Sequence, residues 1–190
     1  MQSLLLRSTK QQQRLSSNFS PLRKSSARIF FWWSELNPYE VAHTIALNAL
    51  VTRAKSKGEL LAHLKTRGVE DDVAAAVIFR LTETGLINDA DFAIAWATSR
   101  HGHKKISKRI IATELRQKGV TQEQIDEALD QIDDESEYRA AFDLGFKKYN
   151  TMSRLEPEVQ IRRIQSLLQR KGFGFSIISR VLRELDLLDR

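Results

Sequence analysis

Three sets of side chains in this sequence have the types and spacing to do chemistry. The pair His101-Gly102-His103 offers imidazoles, but a zinc site draws on cysteines or nearby acidic partners, and the chain has no cysteine at all. It is read as a basic, pH-sensitive contact and not as a metal ligand set. The carboxylates Asp126, Glu127, Asp130, Asp133, Asp134, Glu135 and Glu137 are dense enough to attract a divalent ion. They lack the loop spacing and central glycine of a calcium site, so they are read as a solvated acidic face. The third set is cationic: Arg100, Lys104, Lys105, Lys108, Arg109, Arg116 and Lys118, followed by Arg162, Arg163, Arg170, Lys171, Arg180 and Arg183. Side chains of this kind neutralise phosphates, with little sequence information and strong sensitivity to salt.

Catalytic motifs are missing. There is no GxxxxGK[ST] phosphate loop, no GxSxG and no HExxH, and Gly172-Phe173-Gly174-Phe175 lacks the third glycine of a dinucleotide site. The expectation is a protein that is not an enzyme, with no cofactor and no metal.

Charge is zoned along the chain. Its 190 residues carry a net charge of +6. Residues 1–34 hold six basic groups and no acid, so the rest is neutral overall. Within that rest, residues 100–119 have seven basic groups and one acid, 120–143 have one and nine, and 147–183 have nine and two. Such zoning suits a protein that meets a polyanion with some faces only. No stretch is apolar over the ~20 residues needed to cross a bilayer, so no membrane role is expected, and a cysteine-free chain fits the cytoplasm.

The elements that must position these cations read as helices from residue 35 onward. Asn37-Pro38-Tyr39-Glu40 is a helix start, and Ser56-Lys57-Gly58-Glu59 and Thr121-Gln122-Glu123-Gln124 match the capping box. Gly58, Gly68, Gly85, Gly102, Gly119 and Gly172 fall near places where apolar periodicity breaks. Aligning the chain on Arg67-Gly68, Lys118-Gly119 and Lys171-Gly172 reveals a repeat. Apolar residues recur eight before (Leu60, Ile110 or Ile111, Ile164), four before (Leu64, Leu115, Leu168) and again nine, ten and thirteen after. A helix ending at a glycine free to take positive φ, then a second amphipathic helix, is a helix, tight turn, helix unit. A further helical stretch precedes each unit at 39–54, 89–100 and 136–150.

The expected fold is therefore all-α: an elongated array of three tandem three-helix repeats, helix-turn-helix-like, spanning 35–87, 88–134 and 135–190. Residues 1–34 read as a disordered or loosely packed Ser/Gln-rich basic tail, whose cluster Phe30-Phe31-Trp32-Trp33 would anchor on the first helix.

Three ordered motifs carry a resemblance to a known family. Gly85-Leu86-Ile87-Asn88-Asp89 with Asp91-Phe92-Ala93, the segment Gly102 to Gly119, and Leu167-Leu168-Gln169-Arg170-Lys171-Gly172-Phe173 resemble segments of RecX, the bacterial regulator of the RecA recombinase. Asn88 stands where the family commonly has Asp. The resemblance implies a non-catalytic monomer that binds the RecA filament on single-stranded DNA, blocks its extension, promotes its disassembly and lowers strand exchange, ATPase and coprotease activity. DNA contact would be weak and sequence-independent. Arg100, Lys104, Lys105, Lys108, Arg109, Arg116, Lys118, Arg162, Arg163, Arg170 and Lys171 would meet DNA phosphates or acidic RecA surface, and the acidic helix 122–137 would face basic RecA groups or solvent. The competing expectation is a helix-turn-helix-like DNA-binding regulator acting without RecA.

Overall fold

A computed structural model describes residues 37–187. The basic tail and its aromatic cluster lie outside the described residues. Among those described there are nine α-helices and no strand: α1 Pro38–Thr52, α2 Lys57–Thr66, α3 Asp71–Glu83, α4 Asp89–Lys104, α5 Lys108–Gln117, α6 Gln122–Asp130, α7 Asp134–Asn150, α8 Pro157–Arg170 and α9 Phe175–Glu184.

Each consecutive triplet encloses its own core. In the first, Leu60, Leu64, Ala74, Val77 and Leu81 pack on Ala42 and Ala46. In the second, Ile111, Leu115, Ile125 and Ala128 pack on Phe92, Ala93 and Ala97. In the third, Ile164, Leu168, Ile178, Val181 and Leu182 pack on Tyr138, Ala140 and Ala141. The equivalent pairs Leu60 and Leu64, Ile111 and Leu115, Ile164 and Leu168 are all fully buried. Burying each of these side chains contributes roughly 1.5–3 kcal/mol. Small residues on the first helix of each triplet let the other two approach closely. At Gly145 of α7, a Cβ would lie 2.7 Å from Val181.

The turns follow the glycine register. Gly68, Gly119 and Gly172 have φ of 80, 79 and 89°, and Gly85 has 73°. After each of the first three, the next residue's amide (Val69, Val120, Phe173) reaches back to the carbonyl of Leu64, Leu115 or Leu168, which satisfies a helix-end acceptor and buries an apolar group over it.

Two of the six punctuating glycines do not break helices. Gly102 lies within α4, which runs on to Lys104 and closes only at Lys105, held in the left-handed region at φ 49°. Contacts made by Arg100 and Trp96 at this end of α4 outweigh the modest helix penalty of one glycine. Lys104 is thus the last residue of α4, three residues ahead of the last residue before α5. Gly58 is the second residue of α2, where its missing Cβ admits a neighbouring backbone. The acidic stretch 122–137 is likewise two helices: α6 ends at Asp130 and Asp133 caps α7 through the amide of Ser136 at 2.6 Å.

Candidate functional site

The cations are organised by the joints between repeats, and both joints use the same parts. In the first, the Ser56 hydroxyl donates to the carbonyl of Lys118 and accepts the Glu59 amide at 3.1 Å. The Lys57 amide donates to the Asp89 carboxylate at 2.8 Å. A Cβ on Gly58 would stand 2.5 Å from the Lys118 carbonyl and 3.0 Å from Gly119 Cα. In the second, the Ser107 amide donates to the Lys171 carbonyl at 3.0 Å, and the Lys108 amide donates to Glu137 at 3.0 Å. Here Gly172 lies against Ser107 Oγ and Ile110.

In the first two repeats the N-terminus of the second helix therefore meets the C-terminal turn of the next repeat's second helix, α2 on α5 and α5 on α8. Positive dipole end meets negative dipole end, and a carboxylate from the next repeat's first helix caps the exposed amide, a favourable charge at a helix start. Asp89 of the Gly85–Asp89 motif performs this task and is 5% exposed. Glu59 completes the first joint. Its carboxylate takes Lys118 Nζ at 2.6 Å and Arg53 Nη1 at 3.0 Å. Burial pushes the Glu59 carboxyl up, but hydrogen bonds from Arg53 and Lys118 more than offset it and hold it at about 2. The Ser56–Glu59 capping box is consequently half formed, because Glu59 faces the next repeat, whereas Thr121 and Gln124 make the full reciprocal box.

A cluster inside the second repeat engages one more cation, Arg100, together with Lys118. Trp96 lies with Arg100 4.3 Å from its ring centroid and Lys118 Nζ 4.0 Å from it. Its indole N–H donates to Glu114 at 2.8 Å, and Arg100 Nε lies 2.7 Å from the same oxygen, off the hydrogen-bonding direction. Arg100 and Lys118 are thus tied into the fold.

The other sequence-predicted cations divide in two. Lys105 pairs with Asp143 at 3.2 Å and Lys108 with Asp134 at 3.3 Å. Arg109 donates to the Gly172 carbonyl at 3.3 Å, and Lys171 Nζ donates to the Lys104 carbonyl at 2.8 Å. These four lie along the second joint. Arg116 is exposed and donates only to the neutral Gln122 amide at 2.9 Å. The Lys104 ammonium and the guanidinium groups of Arg162, Arg163 and Arg170 are exposed and make no hydrogen bond or ion pair among the described residues. The carboxylates of the acidic stretch are exposed apart from the half-buried Glu137, and within it Asp134 and Glu137 hold Lys108 while Glu135 pairs with Arg180 at 3.4 Å.

The joints themselves escaped the sequence reading, although one signal was present. Ser56-Lys57 and Ser107-Lys108 both stand twelve residues before the turn glycine. The third repeat departs there. Gln160 takes the place of serine, is 6% exposed, and donates from its amide to the carbonyls of Met152 and Leu155 at 2.8 and 2.9 Å. Among the described residues no group of three or more His, Asp or Glu side chains is placed to hold a metal, and no helix is long and apolar enough to cross a membrane.

Comparison with known proteins matches this architecture repeat by repeat. The first, second and third three-helix domains of RecX match residues 42–81, 88–129 and 134–182. The chain belongs to the RecX family. It is 36% identical over 148 residues to the regulatory protein RecX of Streptomyces coelicolor, covering 78% of this chain and 79% of that one. It is 41% identical over 143 residues to regulatory protein RecX of Mycolicibacterium smegmatis, covering 73% and 76%. The crystal structure of RecX from Lactobacillus salivarius shares the fold with a TM-score of 0.70 at 24% identity, over 80% of this chain and 98% of that one. The protein is accordingly a RecX-family regulatory protein built of three helical repeats.

Proposed function

We propose that the protein is a non-catalytic modulator of the RecA recombinase, which binds the RecA filament on single-stranded DNA, blocks its extension and promotes its disassembly, lowering strand exchange, ATPase and coprotease activity. The observation that carries this reading is the ordered match to all three RecX domains. In this reading the units 35–87, 88–134 and 135–190 act as one cytoplasmic monomer.

The free cations supply the chemistry. Lys104, Arg116, Arg162, Arg163 and Arg170 are exposed and unopposed by carboxylates, so they are the contacts proposed for phosphates or acidic RecA surface. Lys105, Lys108, Arg109 and Lys171 would add to them from the second joint, while Arg100 and Lys118 would act by holding the second repeat in shape. Several weak contacts on one scaffold gain affinity through effective concentration. Contacts to a charged backbone also explain why no catalytic group is needed.

The test is RecA ATPase on single-stranded DNA, with the whole chain and with residues 1–34 removed. Substoichiometric protein should suppress the hydrolysis, and binding to RecA-coated DNA should exceed binding to naked DNA. Equal affinity for coated and naked DNA, with hydrolysis untouched, would sink the proposal in favour of a RecA-independent DNA binder.

A further inference from the structure

None of the cations singled out in the sequence belongs to the first repeat, yet that repeat holds a cationic cleft. Between α1 and α2 lies a cleft of about 240 Å³ lined by Ile45, Asn48, Ala49, Thr52, Lys55, His63 and Arg67. Three cationic or titratable basic side chains line it, and no carboxylate does. Among the described residues Lys55, His63 and Arg67 find no ion-pair or side-chain hydrogen-bond partner, and neither does the Asn48 amide.

These groups are not spent on capping. The carbonyls of Leu64 and Lys65 at the end of α2 are taken by the amides of Arg67, Gly68 and Val69, and that of His63 by the Thr66 hydroxyl. At the end of α1, the Thr52 hydroxyl serves the Ala49 carbonyl. Glu59 stands one turn before His63 and borders the adjoining hollow with Lys55 and His63, but it is already held by Arg53 and Lys118. Burial, then the charges of Arg67 and Lys55, lower the His63 pKa from its ordinary value. The cleft is thus a pocket of like charge with donors and no internal counterion.

We propose that Lys55, His63 and Arg67, with Asn48, form a binding site for a phosphate oxyanion. The neutral walls from Ile45 and Ala49 make the site concave, so a tetrahedral anion would be met from several directions and not at one charge. The source of the phosphate is a nucleic-acid backbone or a free phosphorylated molecule. Only the first of these leans on the filament reading, which would then give the first repeat a contact of its own. A bound anion stabilises His63 in its charged form, so the His63 pKa must rise on binding.

The experiment uses the full chain and two probes at constant ionic strength. Inorganic phosphate is titrated while the imidazole resonances of His63 are followed by carbon–proton NMR, with His43 as the internal reference. The expected result is a saturable shift at His63, with its pKa moved upward, and no saturable shift at His43. A labelled oligothymidylate is then bound over a range of salt by the wild type and by Lys55→Gln/Arg67→Gln. A backbone source lowers the logarithmic salt slope by about 0.7 for each phosphate that the variant no longer neutralises. A His63 response with an unchanged slope supports the site and assigns it to free phosphorylated molecules. If His63 does not respond to phosphate, the assignment is overturned whatever the slope does, while the RecA ATPase test stands apart from either outcome.

Discussion

Ser56 and Lys118 lie 62 residues apart in the chain and touch through a hydroxyl and a backbone carbonyl. The corresponding pair, Ser107 and Lys171, is joined through the serine amide instead. One geometry thus serves both joints with different satisfaction of the serine side chain. Ser56 Oγ donates once and accepts once, whereas Ser107 Oγ is buried with no partner.

Ser56→Ala should therefore cost about 0.5–2 kcal/mol, the range for a lost N-cap. Ser107→Ala should be near neutral, since it removes a hydroxyl whose burial is uncompensated. Urea unfolding of the two variants measures the contrast. Equal losses would show that the Ser107 hydroxyl finds a partner in solution.

Three glycine-to-alanine variants should rank in order. At Gly102 the helix is regular and a Cβ meets nothing within 4 Å, so alanine should stabilise by about 0.5–1 kcal/mol. At Gly68 the space is also open but φ is +80°, so alanine should destabilise by about 1–2 kcal/mol. At Gly172 the same strain is joined by a collision with Ser107 Oγ and Ile110, and the loss should be the largest of the three. Thermal melts give the order directly.

The Glu59 latch predicts a pH window. Its carboxyl is held at about 2 in the folded protein, below the ~4.3 of an unfolded chain. The stabilisation is fully present above the unfolded value and is lost as pH falls through the folded one. The stability difference between wild type and Glu59→Gln should be flat from pH 7 to about 5 and shrink on further acidification. A difference that grows on acidification would remove the ion pair as its cause.

Reversing charge should separate contact residues from struts. Arg162→Glu/Arg163→Glu/Arg170→Glu should weaken binding to single-stranded DNA or to the filament and flatten its salt dependence, with thermal stability kept. Arg100→Gln should do the reverse, lowering stability, because it strips Glu114 and the Trp96 ring of a partly buried cation. Anisotropy titrations and melts on the same samples distinguish the two behaviours.

The repeat was legible in the sequence because its signals are local. Leu64, Leu115 and Leu168 sit four residues before a glycine, and helical period and positive φ are both short-range properties. The ends of the elements were less so. α4 passes through Gly102 because the Trp96, Arg100 and Glu114 contacts involve α5, which no window on α4 contains. The fate of the cations was the least legible. Lys105 and Lys108 look identical to Lys104 in a charge count, yet Asp143 and Asp134 engage the first two and no described residue engages the Lys104 ammonium. The basic cleft of the first repeat escaped altogether, since Lys55, His63 and Arg67 are interleaved with Arg53, Lys57, Glu59 and Lys65 and converge only when α1 and α2 pack.

The replacement of serine by Gln160 gives the array a direction of growth. A spare unit spliced upstream of α1 would find a ready socket in the Arg67-Gly68 turn, where a Cβ on Gly68 would meet no described residue within 4 Å. A unit grafted downstream of α9 would find no plug, because Gln160 is turned inward onto its own loop. Lengthening such a protein, by evolution or by engineering, is a one-sided operation.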